Sequence, residues 1–109
     1  MKLLPTVLAL GLAASLAAGF AGSASASEAI IKKARCVACH GVDKKLVGPA
    51  YKDVAAKYRG QADALDKLAA KVRNGGAGAW GEIPMPPNGP EKISDADLRT
   101  ALEWILSLE

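Results

Sequence analysis

The sequence predicts an all-α domain built around one covalently held cofactor. Two observations carry that reading. Residues 27–39, 51–58, 62–73 and 94–108 have the apolar spacing or the terminating residues of short helices. In addition, Cys36-Val37-Ala38-Cys39-His40 is the Cys-x-x-Cys-His signature of c-type haem attachment.

The signature makes chemical sense at that spacing. Two thiols three residues apart on one helical turn can form thioethers to the two vinyl groups on one porphyrin edge. His40 then comes under the iron and offers an imidazole nitrogen as proximal ligand. A structural zinc site needs four ligands, but Cys36, Cys39 and His40 are the only Cys and His residues in the chain. An iron–sulfur cluster fails on the same count. A thioredoxin-like dithiol belongs in a βαβ context, and no strand pattern lies nearby. A disulfide across two intervening residues would close almost no loop.

Residues 1–26 read as a cleaved secretory signal peptide. Lys2 supplies a positive charge, Leu3 to Ala18 is almost wholly apolar, and Ala24-Ser25-Ala26 is an A-x-A cleavage site. The alternative is an uncleaved anchor, since the apolar run approaches spanning length. Against it, the first predicted helix starts at Ser27 with no spacer. Export suits the haem reading, because c-type haem is attached on the far side of the bacterial inner membrane.

Residues 27–109 then form one small domain, near the size where an apolar core alone is marginal. A haem would supply core that the chain lacks. This domain carries 13 Lys+Arg against 11 Asp+Glu, a net charge of +2. So even a balance argues against nucleic-acid binding and for brief contacts with a charged partner patch.

The first helix is predicted over Ser27–Cys39, with Ser27 as N-cap and Ile30 and Ile31 facing the C-terminal helix. His40-Gly41 ends it, and Val42 to Pro49 is a loop with a turn at Gly48-Pro49. Tyr51 to Tyr58 is a short helix broken by Arg59-Gly60. Ala62 to Arg73 is a third, with Leu65, Leu68, Ala69 and Val72 on one stripe and Asn74-Gly75-Gly76 as its stop. Residues 75–90 hold too many glycines and prolines for helix or central strand, and are too apolar for a free linker. They read as a packed loop. Ser94-Asp95-Ala96-Asp97 resembles a capping box with Asp replacing Glu. The helix behind it runs to about Leu108, with Leu98, Ala101, Leu102, Ile105 and Leu108 as its apolar face.

Beyond residue 26, Met85 is the only methionine and His40 the only histidine. Met85 sits between Pro84 and Pro86, a poor setting for flexible core filler. A thioether ligand at the second axial position raises the reduction potential. With both axial positions filled, no site remains for oxygen or peroxide, and electron transfer is the chemistry left. A haem enzyme or gas sensor would need an open sixth position. A fixed module of a larger oxidoreductase sits poorly with a short chain that has its own signal.

Four stretches carry a family resemblance: the haem motif, Val47-Gly48-Pro49-Ala50-Tyr51-Lys52-Asp53-Val54-Ala55-Ala56-Lys57-Tyr58, Trp80-Gly81 with Ile83-Pro84-Met85-Pro86-Pro87-Asn88, and Trp104-Ile105-Leu106-Ser107. Together they resemble a small bacterial class I cytochrome c of the cytochrome c-551/c-552 type. The resemblance implies four or five short helices around one haem c. It implies a monomeric periplasmic electron carrier, not an enzyme, serving denitrification or aerobic respiration. Its partners would be redox proteins such as a haem-cd nitrite reductase, a terminal oxidase or a quinol–cytochrome c reductase, with membranes met only through them.

Residue by residue, Cys36 and Cys39 match the thioether cysteines, His40 the proximal ligand and Met85 the distal one. Pro49 matches the carbonyl that accepts the other imidazole N–H. Trp80 matches a residue whose indole reaches a haem propionate, with plain packing as its alternative role. Asn88 matches a side chain near the methionine sulfur that tunes potential. Lys71 stands where several relatives have a propionate-binding arginine, so a point charge replaces a fork. Residues 89–93 make a slightly long connection, and Trp104 is expected in the core. The haem edge in this fold lies near the surface. Val37, Ala38, Leu46 and Val47, with Pro86 or Pro87, should rim it, and Lys44, Lys45, Lys52 and Lys57 should surround that rim or be ordinary solvated positions.

Overall fold

The computed structural model describes residues 21–109. The leader assigned to residues 1–26 lies outside the described residues up to position 20. Four α-helices follow one another: α1 (Ala21–Lys33), α2 (Tyr51–Tyr58), α3 (Ala64–Asn74) and α4 (Asp95–Ser107). A 3-10 turn at Cys36–Ala38 separates α1 from α2. Among the described residues there is no strand, only two isolated antiparallel bridges, His40 with Lys45 and Gly76 with Met85. The all-α expectation is met.

The first helix differs from its prediction at both ends. Upstream, the alanines of residues 21–26 favour helix, so α1 continues through the predicted start. Ser27 is therefore an interior residue and not a cap. It is fully buried, and its hydroxyl donates to the Thr100 carbonyl of α4 at 3.4 Å. Downstream, Arg35 adopts φ 63°, a left-handed conformation that a right-handed helix cannot contain. Lys32 and Lys33 close α1 with charges suited to its carbonyl end. The chain then rewinds tightly, with the Cys39 and His40 amides donating to the Cys36 carbonyl at 3.1 and 2.9 Å.

The start of α2 has no side-chain cap. Its free N–H groups are met instead by the loop behind the cysteine motif: Tyr51 donates to Gly41 O at 2.9 Å and Lys52 to Val42 O at 3.1 Å. Motif and helix are thus fixed to each other. α3 starts two residues later than predicted and stops where the glycines were expected to stop it, with Gly75 at φ 67° donating to Lys71 O at 2.7 Å. α4 begins as its sequence suggests, the Asp97 amide donating to the Ser94 hydroxyl at 3.1 Å.

α4 packs against α1, α2 and α3, which do not gather around any other element. Its Leu98, Ala101, Leu102 and Ile105 are buried, and they meet Ile31 of α1, Tyr51 and Val54 of α2 and Leu68 of α3. Ile93, in the connection before α4, joins the same core. Trp104 is half-buried and meets the Tyr51 ring edge-on at 6.4 Å.

Candidate functional site: an apolar cleft between the cysteine motif and the methionine loop

The core is cleft. Ile31, Leu68, Leu98 and Leu102 belong to it and also line an open-mouthed cavity. Cys36, Cys39 and His40 line that cavity from one segment, and Met85 from the loop between α3 and α4. The remaining wall is overwhelmingly apolar. A lining of that kind suits a hydrophobic ligand and not a hydrated ion.

His40 is the most tightly specified side chain in the site. Its Nδ1 lies 2.8 Å from the Pro49 carbonyl. A carbonyl only accepts, so Nδ1 carries a proton, and Nε2 is the nitrogen left to face a metal. The Tyr51 ring stacks on the imidazole at 5.1 Å and 15°. On another side, a Cβ built at Gly48 would lie 2.5 Å from His40 Cε1 and 2.9 Å from Nδ1. Only glycine lets the backbone approach so closely. The Gly48 amide also donates to Cys39 O at 2.8 Å, so the Gly48-Pro49 turn wraps the histidine.

Cys36 and Cys39 are both free thiols, each half-buried. Burial pushes the Cys36 thiol above its ordinary range, and burial likewise pushes the Tyr51 phenol up. Among the described residues, no three His, Cys, Asp or Glu side chains converge as a metal site would require. The donor set fits a macrocycle instead: two thiols on one turn, an imidazole and a thioether, around an apolar slot.

Met85 is half-buried and its backbone is pinned. It exchanges two hydrogen bonds of 2.9 Å with Gly76, just past the end of α3. A side chain at Gly75, which has a positive φ, would collide with the Met85 carbonyl oxygen.

The second circle of predicted residues divides. The Pro49 carbonyl meets the His40 ring nitrogen. Lys71 and Trp80 line the cleft, and Lys71 Nζ reaches toward Gly76. Asn88 is buried, but its side-chain amide donates to Pro86 O at 3.0 Å and Val72 O at 3.4 Å, and it does not line the cleft. Three features escaped sequence reading: the Tyr51 stack, the closeness of Gly48 to His40, and a contact of Lys57 with Trp80. The motif Val47-Gly48-Pro49-Ala50-Tyr51 contains the first two, but spacing alone does not reveal a ring on a ring.

The fold is shared with proteins already known. A cytochrome c from Nitrosomonas europaea, cytochrome c-552, is 49% identical over 100 residues, covering 92% of this chain and 95% of the relative. Cytochrome c-551 of Pseudomonas aeruginosa is 54% identical over 80 residues, 73% of this chain and 74% of the relative. The crystal structure of wild-type Nitrosomonas europaea cytochrome c552 superposes with a TM-score of 0.71 at 50% identity, covering 75% of this chain and 99% of that one. The family model described as cytochrome c matches residues 24–109. With that match and those relatives, the chain belongs to the cytochrome c family, whose members are electron carriers and not enzymes.

Proposed function

We propose that this protein is a periplasmic monohaem carrier that shuttles single electrons in respiration. Cys36 and Cys39 would hold one haem c by thioethers, with His40 and Met85 as its axial ligands. The single observation that carries the reading is that the His40 imidazole, held through its Nδ1–H, and the Met85 loop line one apolar cleft together with both cysteines. When bound, a haem so ligated supplies a one-electron iron couple with no vacant coordination position. The chain's own residues do the rest. Pro49, by accepting the Nδ1–H bond, and Tyr51, by stacking, orient the imidazole. The apolar wall excludes water, and Lys71 and Trp80 offer a charge and an N–H at the cleft mouth for propionates.

Residues 1–26 would be removed on export, leaving Ser27 as the first residue. Partners would be a nitrite reductase or a terminal oxidase as acceptor and a quinol–cytochrome c reductase as donor, met briefly by a monomer.

The test is spectroscopic. The oxidised mature protein should show low-spin haem with the far-red sulfur–iron band. Met85→Ala should abolish the band, lower the potential and admit small ligands. An unchanged spectrum and potential in Met85→Ala would overturn the axial assignment. Stopped-flow mixing of the reduced protein with each candidate acceptor decides between the two.

A further inference from the structure

The Met85 loop is attached to the C-terminal turn of α3 on both sides of the methionine. Upstream, Gly76 and Met85 exchange their backbone bonds. Downstream, the Asn88 amide donates to Val72 O at 2.9 Å. Between these, Arg73 reaches across from α3. Its Nη1 donates to Asn88 O at 3.1 Å and to Ile93 O at 2.7 Å, and its Nη2 meets Asp95 Oδ1 at 2.5 Å. One guanidinium therefore grips three points on the strand of chain that runs from the loop into α4.

The two kinds of grip are unequal. The Asp95 carboxylate side chain is 93% exposed, so its ion pair is screened and weak. Asn88 and Ile93 are buried residues, and their carbonyls would lose a charged donor if the guanidinium were removed.

We propose that Arg73 is the positioning residue of the Met85 loop. Its Nη1, donating to the Asn88 and Ile93 carbonyls, sets the equilibrium between the loop seated on α3 and the loop lifted away. It thereby controls access of outside ligands to the position Met85 occupies. The inference rests on Met85 as axial ligand and concerns the regulation of that same site.

The experiment uses the holoprotein and imidazole as the competing ligand, followed by loss of the far-red band. Arg73→Gln should raise the apparent imidazole affinity about tenfold, the size of one lost charge-assisted bond. Hydrogen exchange at the Asn88 amide should accelerate in parallel. Asp95→Asn, which leaves the carbonyl bonds intact, should stay within about twofold of the parent. Arg73→Lys, which keeps a charged donor but loses the planar guanidinium and its reach to both carbonyls, should fall between the two. Ile30→Ala, a core truncation remote from the loop, should lower the thermal midpoint without the rise in affinity. The proposal is overturned if Arg73→Gln matches the parent, if Asp95→Asn matches Arg73→Gln, or if Ile30→Ala produces the same rise. Should Arg73→Gln fail to fold, a parent-like affinity in Arg73→Lys overturns it equally. A far-red band that survives in Met85→Ala instead removes the ligand assignment, an outcome separate from all of these.

Discussion

The Lys57 ammonium lies 4.6 Å from the centroid of the Trp80 ring, and the same nitrogen donates to the Ala79 carbonyl at 3.0 Å. This contact ties the end of α2 to the glycine-rich arm of the methionine loop. It also withdraws Lys57 from the set of free charges that sequence reading placed around the haem edge. Lys57→Met, which keeps the stem and removes the charge, should cost about 0.5–1 kcal/mol of stability. Urea unfolding of the holoprotein measures it, and an unchanged midpoint would show the contact to be incidental.

Arg35 is the one described non-glycine residue with positive φ. A left-handed L-residue costs about 1–2 kcal/mol, part of which glycine returns through its looser unfolded state. Arg35→Gly should therefore raise stability by about 0.5–1 kcal/mol. A destabilised variant would mean that the arginine side chain makes up for its backbone.

Docking should depend on salt, but through fewer lysines than the sequence suggested. Val37, Leu46, Val47 and Ile83 are exposed, and Val47 and Ile83 line the cleft. Lys52 already pairs with Asp43 at 2.5 Å, whereas Lys44 and Lys45 form no ion pair among the described residues. Lys45→Glu should slow association with an acidic partner about tenfold at low ionic strength, and Lys52→Glu should slow it less. Turnover within the complex should hardly change. A rate that is flat across ionic strength for parent and variants would assign docking to the apolar rim alone.

Without its cofactor the chain should be largely disordered. Ile31, Leu68, Leu98 and Leu102 serve as core and as cleft wall at once, so a bound macrocycle is part of what these short helices pack on. Circular dichroism of a Cys36→Ala, Cys39→Ala form made without haem is the measurement. A cooperative, fully helical melt would refute the prediction.

What could be read in the sequence follows the range of the interactions. α2 appears at its predicted bounds and α4 at its predicted cap; the Arg59-Gly60 stop of α2 and the Ser94 cap of α4 are local signals. The glycine stop of α3 was legible for the same reason. α1 was not, since the apolar spacing runs on through Val37 and nothing in it marks Arg35 as left-handed. Cys36, Cys39, His40 and Met85 were legible as a rare combination of residue types, and they do line one cleft. Arg73 enters the sequence reading only as the last residue of the predicted third helix. Its partners at Asn88, Ile93 and Asp95 lie 15 to 22 residues away, beyond any periodic pattern.

The first and last helices of the domain pack on each other, and α4 also supplies the common surface for α2 and α3. A ribosome delivers α1 first and α4 last. Until the final helix arrives, the earlier ones have nothing to close on, and the Cys36–His40 segment stays on an open chain. Because the haem-free chain should stay largely disordered, arrival of α4 does not by itself close the fold. Both thiols should stay reachable until attachment gives all four helices a common surface.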